Sequence, residues 1–144
     1  MSIEKASPNR ADADAAGKTY FTVAEANQAL PYVARIIEDV TAVYRRIVDL
    51  RRRLEQAQAG QDENLEREYE HSMDRLSQLV DELHAVGVEL KDFEKGLVDF
   101  PAWHEGREVL LCWKKGEDEV AYWHETDAGY AGRQPVAQIQ APTE

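Results

Sequence analysis

The chain has 144 residues, 43% of them hydrophobic and 31% charged, with a formal net charge of −11. One modest domain with tails accounts for that length. The acidity argues against nucleic-acid or anionic-membrane partners, which need clustered Lys and Arg, and no apolar run approaches the roughly 20 residues of a spanning helix.

The single cysteine rules out an intramolecular disulfide, and Met1 to Lys18 has no signal-peptide core, so a soluble cytoplasmic protein is expected. Residues 1–18 carry almost nothing large and apolar and should form a flexible tail. Thr22-Val23-Ala24-Glu25 then has the form of a capping box, hydroxyl and carboxylate each serving a free amide. Beyond it Leu30, Val33, Ile37, Val40, Tyr44, Ile47, Leu50 and Leu54 recur at spacings of three and four, the period of one helical face. Pro31 lacks an amide and crowds the preceding turn. Because the stripe runs across it, a single kinked helix is favoured over a short helix 22–29 followed by a second.

Gln58 to Asp62 should end this helix, with Gly60 just past its C-terminus. A second helix, about 62–86, carries Leu65, Tyr69, Met73, Leu76, Val80 and Leu83 on one face. Asp62, Glu63 and Glu66 occupy its first turns, where the helix dipole favours anions. An antiparallel hairpin would bring Arg51-Arg52-Arg53 beside those acids, so that basic run reads as a solvated, paired helix end.

At Gly87 the texture changes. Val88–Lys91, Leu97–Phe100, Glu108–Trp113 and Val120–His124 are short β-prone runs, punctuated by Gly96, Pro101, Gly106 and Lys115-Gly116-Glu117. The fold class is therefore α+β: a long antiparallel helical hairpin (22–86) packed on a small antiparallel β-sheet (87–135). One domain covers 19–135, and 136–144 reads as a frayed tail. Strands of five or six residues span only about 17–20 Å, barely half of a helix pair roughly 40 Å long. Ile36, Ile37, Val40, Val43, Tyr44 and Ile47 form a band wider than one seam, so a homodimer through the hairpin is expected. The alternative is that the chain folds back at Pro31 over its own band.

The runs VELKD, GLVDFPA, GREVLLCW, WHE and DAGYAGRQP, with the opening FTVAEAN and the following LP, carry a resemblance over about Tyr20 to Pro135. Together they resemble a prokaryotic family known as domain of unknown function 2203. The resemblance implies emphasis on Lys91, Asp92, Asp99, Arg107, Cys112, Trp113, His124, Asp127, Gly129 and Arg133, and supplies no activity.

The residues themselves admit three chemistries. Cys112 and His124 are ligand types for zinc, yet no C-x-x-C or H-E-x-x-H accompanies them. Whether they share a sheet face turns on register. Lys114 opposite Glu119 sets Cys112 against Ala121 and His124 on the other face, and a loop one residue different unites them. The bland reading of Cys112 is a buried thiol behaving as a small apolar group. No cofactor is expected, with zinc the lesser alternative. A Cys112–His124–Asp127 catalytic arrangement is disfavoured because a mid-strand cysteine has nothing to lower its pKa.

The third chemistry is a ligand cleft of Asp99, Arg107, His124, Asp127 and Arg133 among Trp113 and Trp123. Either arginine would hold a small anionic ligand bidentately. Against it stands structural pinning, with Asp92 and Asp99 paired to the two arginines. The sequence thus reads as a protein-interaction or small-ligand binding module with no evident catalytic machinery. The alternative is a small enzyme or anion binder using Arg107, His124, Asp127 and Arg133, metal-assisted or not.

Overall fold

A computed structural model describes residues 18–58 and 62–139. Most of the expected N-terminal tail, the turn at Gly60 and residues from 140 onward lie outside them.

Helix α1 (Val23–Gln56) opens on the capping box: the Glu25 amide donates to Thr22 Oγ1 and the Thr22 amide to Glu25 Oε1, each at 3.0 Å. It is one helix of 34 residues with Pro31 inside it. Pro31 faces solvent while Leu30 and Val33 beside it are buried. Packing of the stripe carries the helix through the missing hydrogen bond. Helix α2 (Glu63–Val86) ends at Gly87, whose amide reaches the carbonyls of Leu83 and His84. Gly87 has φ 101°, and a Cβ there would lie 2.6 Å from that of Thr19, so the stop admits only glycine without strain.

Five antiparallel strands follow in sheet order: β1 (Glu89–Asp92), β2 (Leu97–His104), β3 (Arg107–Lys114), β4 (Tyr122–Glu125) and β5 (Gln134–Pro135). The protein is therefore α+β, a helical hairpin packed on a sheet. A two-residue turn, Glu105-Gly106, joins β2 to β3 with φ 54° and 79°, the mirror-image turn that matches strand twist. Alternation divides the sheet into two faces. Val98, Phe100, Ala102, Val109, Leu111, Trp113 and Trp123 join Val33, Ile37, Val40, Leu79 and Leu83 in the core. The register puts Asp99, Pro101, Leu110, Cys112, Tyr122 and His124 on the opposite face.

Pro101, read as a strand breaker, lies within β2 opposite Leu110. Its carbonyl accepts from the Phe21 amide at 2.7 Å. A strand residue directs its N–H and C=O to the same side, so the donor that proline lacks would point at the edge and not at β3. Ladder bonds between β2 and β3 are spared.

The β3–β4 register is the second of the two that the sequence leaves open, the one that unites Cys112 and His124 on a face. Cys112 opposes Tyr122, not Ala121, and Leu110 opposes His124. Asn27 on α1 anchors the approach to β4. Its Oδ1 accepts from the Val120 amide at 2.7 Å and its Nδ2 donates to the Val120 carbonyl at 3.3 Å. Val120 is thereby pinned to the helix, and pairing starts two residues later. Past β5, Val136 and Ile139 pack on the core, so the folded unit passes the point where a frayed tail was expected.

Much of the apolar band is covered within one chain: Ile36, Ile37, Val40 and Ile47 are buried, and Tyr44 stacks on Phe93 with ring centroids 5.6 Å apart. Val48 and Met73 remain 47% and 42% exposed. Arg52 and Arg53 pair with Asp49 of their own helix, not with the acids opening α2, and Arg51 donates to the Tyr69 hydroxyl. Among the described residues no helix is long and apolar enough to cross a membrane.

Candidate functional site

The face turned from the core holds an unusual floor. Asp99 on β2, Cys112 on β3 and His124 on β4 have one ligand-type atom each, all within 4.8 Å of one another. Their exposures are 2%, 0% and 3%. Asp99 lies directly opposite Cys112, and His124 is the diagonal neighbour of Cys112 on the far side. The ring of His124 therefore reaches across β3, and its Nε2 meets Asp99 Oδ1 at 3.1 Å. Cys112 Sγ lies within 4.8 Å of both of those atoms.

The tautomer of His124 follows from its other nitrogen. Nδ1 lies 2.7 Å from the Glu125 carbonyl oxygen, which can only accept, so Nδ1 carries a proton. One further proton must then sit between Nε2 and Oδ1. Whether it rests on nitrogen or oxygen, the cluster is electrically neutral. Burial raises the Asp99 carboxyl above the usual range, opposed by the neighbouring imidazole. Burial, with the Asp99 charge second, pushes the Cys112 thiol up to about 12. A thiol so held is a poor nucleophile at neutral pH.

Arg133 stands beside this floor, where its charge acts on Cys112. Its guanidinium carbon lies 4.1 Å from the centre of the Tyr122 ring and 4.6 Å from that of Tyr130. Its Nη2 meets Glu117 Oε1 at 2.7 Å, while its Nε is buried without a hydrogen-bond partner. Glu117 Oε1 also accepts the Lys114 amide, which ties the β3–β4 loop to the same arginine.

Other expected members lie elsewhere. Arg107 is held at the far end of β3 by Glu125, with Nε–Oε1 3.0 Å and Nη2–Oε2 2.6 Å, and by Glu105. That hydrogen bonding raises the arginine and lowers Glu125. Neither aspartate pairs with an arginine. Asp92 accepts the Glu94 and Lys95 amides in the β1–β2 turn, and Asp99 takes His124. Trp113 and Trp123, expected as cleft walls, face the core, because odd positions of β3 and β4 point to the helices. Asp127 lies in the exposed turn after β4 and outside the cluster, so the orienting carboxylate for His124 is Asp99.

Residues that sequence reasoning passed over are the carboxylates Glu117 and Glu125 and the anchoring Asn27. Asn27 closes the run FTVAEAN in the opening turns of α1, and that run was the signal available for it.

A family model described as an uncharacterized conserved protein (DUF2203) matches residues 19–136. No curated protein and no solved structure matches the chain.

Proposed function

The chain belongs to the DUF2203 family, whose description names no activity, and from its own geometry we propose a small-ligand binding module. Its site is the floor of Asp99, Cys112 and His124, with Arg133 at the wall. One observation carries the reading. Three polar side chains, each at most 3% exposed, converge on the sheet face that does not pack against the helices. A buried polar cluster of this kind is a poor route to stability, since well-packed apolar residues are often as good or better. Arg133, with one buried nitrogen unpartnered, supports an anionic group on the ligand. The raised thiol supports binding over nucleophilic catalysis.

The test is to combine Asp99→Val, Cys112→Ala and His124→Leu and follow thermal unfolding. A cluster kept for binding predicts a folded variant with Tm at or above that of the wild type. A variant that no longer folds, or melts far lower, makes the cluster a structural pin and ends this reading.

Two further proposals accompany it. A cytoplasmic location suits a free buried thiol, which a reducing compartment preserves. A homodimer through the hairpin would cover Val48 and Met73, a smaller apolar area than the sequence alone implied. Light scattering decides it: twice the 16.4 kDa chain mass supports the dimer and a single mass rejects it.

A further inference from the structure

We propose that the ligand of this floor is a divalent transition-metal cation, held by Asp99 Oδ1, Cys112 Sγ and His124 Nε2. The proposal rests on the binding reading above and names what is bound.

The donor set is a carboxylate, a thiol and an imidazole. Sulfur with nitrogen selects zinc or its neighbours over magnesium and calcium, which require oxygen shells. The three atoms lie within 4.8 Å of one another and come from three adjacent hydrogen-bonded strands. Little backbone movement is needed to close them onto an ion with bonds of about 2.0–2.3 Å. The imidazole is already prepared: its Nδ1 is fixed by the Glu125 carbonyl at 2.7 Å, leaving Nε2 toward the other donors. Metal-bound histidines are characteristically oriented by such an outer hydrogen bond.

Charge favours the exchange as well. Without metal the cluster holds the Cys112 thiol proton and one proton between His124 and Asp99, and is neutral. A divalent ion displaces both protons and meets one thiolate, one carboxylate and one neutral imidazole. Two protons leave per ion, and the buried cluster stays neutral. Neither state places an uncompensated charge in the sheet, the expensive outcome for buried groups. Three protein donors leave a fourth position open, as in sites where a metal takes up a small ligand. Arg133, stacked on Tyr122 directly opposite Cys112, is the group on hand to receive the anionic part of that ligand.

The experiment uses the full chain without a histidine tag, stripped with chelator and titrated with cobalt(II) alone. Expected are one cobalt per chain, a thiolate-to-cobalt charge-transfer band with visible bands of tetrahedral intensity, and release of two protons per ion into a weak buffer. Cys112→Ser, a near-isosteric change, should abolish the charge-transfer band while circular dichroism stays unchanged. Asp99→Asn should weaken cobalt affinity at least tenfold. Binding that leaves no thiolate band, or a spectrum that Cys112→Ser does not alter, overturns the proposal. If the apolar triple variant is as stable as wild type yet the wild type takes up no cobalt, the metal falls and the binding module stands. If the triple variant collapses, the binding reading fails first.

Discussion

Removing the side chain of Asn27 is the sharpest test of how this fold sets its site. Val120 is 1% exposed, and both of its backbone polar groups are bonded to that one amide. In Asn27→Ala the Val120 amide and carbonyl lose their partners inside the protein. A buried unpaired group costs about 1–3 kcal/mol, and partial relief at the carbonyl gives roughly 2–4 kcal/mol for the pair. Unfolding entropy near 2.1 cal/mol/K per residue, over roughly 120 ordered residues, is about 0.25 kcal/mol/K. The expected fall in Tm is therefore about 8–16 °C. Asn27→Asp retains the acceptor for the Val120 amide but loses the donor, and should fall between alanine and wild type. Thermal unfolding by circular dichroism measures both. An Asn27→Ala protein melting within a degree of wild type would refute the argument that this side chain anchors the β3–β4 connection.

Other outcomes follow from the same geometry. Cys112 should react with a disulfide reagent at neutral pH no faster than the protein opens, and at once in denaturant, because its thiol is buried and held up at about 12; rapid labelling of the native chain would contradict this. Gly87→Ala should lower stability by about 1–2 kcal/mol or more, from left-handed strain and contact with Thr19, read as a shifted denaturant midpoint. Arg107→Ala, at a solvent-screened ion pair, should leave the denaturant midpoint close to that of the wild type. Arg133→Ala should lower Tm further than Arg107→Ala, since it leaves two tyrosine faces and Glu117 without their guanidinium; equal effects would show that the stacking is energetically idle.

The helices were legible because their signals are local. A stripe at spacings of three and four, a Thr-x-x-Glu start and a Gly stop each read out within a few residues, and Pro31 alone obscured continuity. The site was less legible because it depends on register. Cys112 and His124 were recognised as ligand types, but their sharing a face hinged on a one-residue difference in loop length, and the strand's approach is anchored by Asn27, 93 residues before Val120. Asp99 was named both as a member of the cleft with His124 and as the partner of an arginine. Only the diagonal reach of His124 across β3 reveals its true partner, and no spacing rule encodes that. Trp113 and Trp123 were misplaced for the same reason, since one step of alternation separates a cleft wall from a core residue.

The hydrogen bond between the Phe21 amide and the Pro101 carbonyl has a consequence for how copies of this protein behave at high concentration. Strand β1 pairs with β2 only as far as Asp99, so the rest of β2 forms a sheet border next to the N-terminal segment. An open border of that kind is a template on which a strand from another molecule can add. Here Pro101 offers no donor and its acceptor is already taken by Phe21, whose ring also lies edge-on to Phe100 at 5.2 Å. The segment leading into the first helix thus doubles as a guard strip. Cutting the chain after Phe21 would uncover that border and turn a self-limiting sheet into one that recruits its own kind.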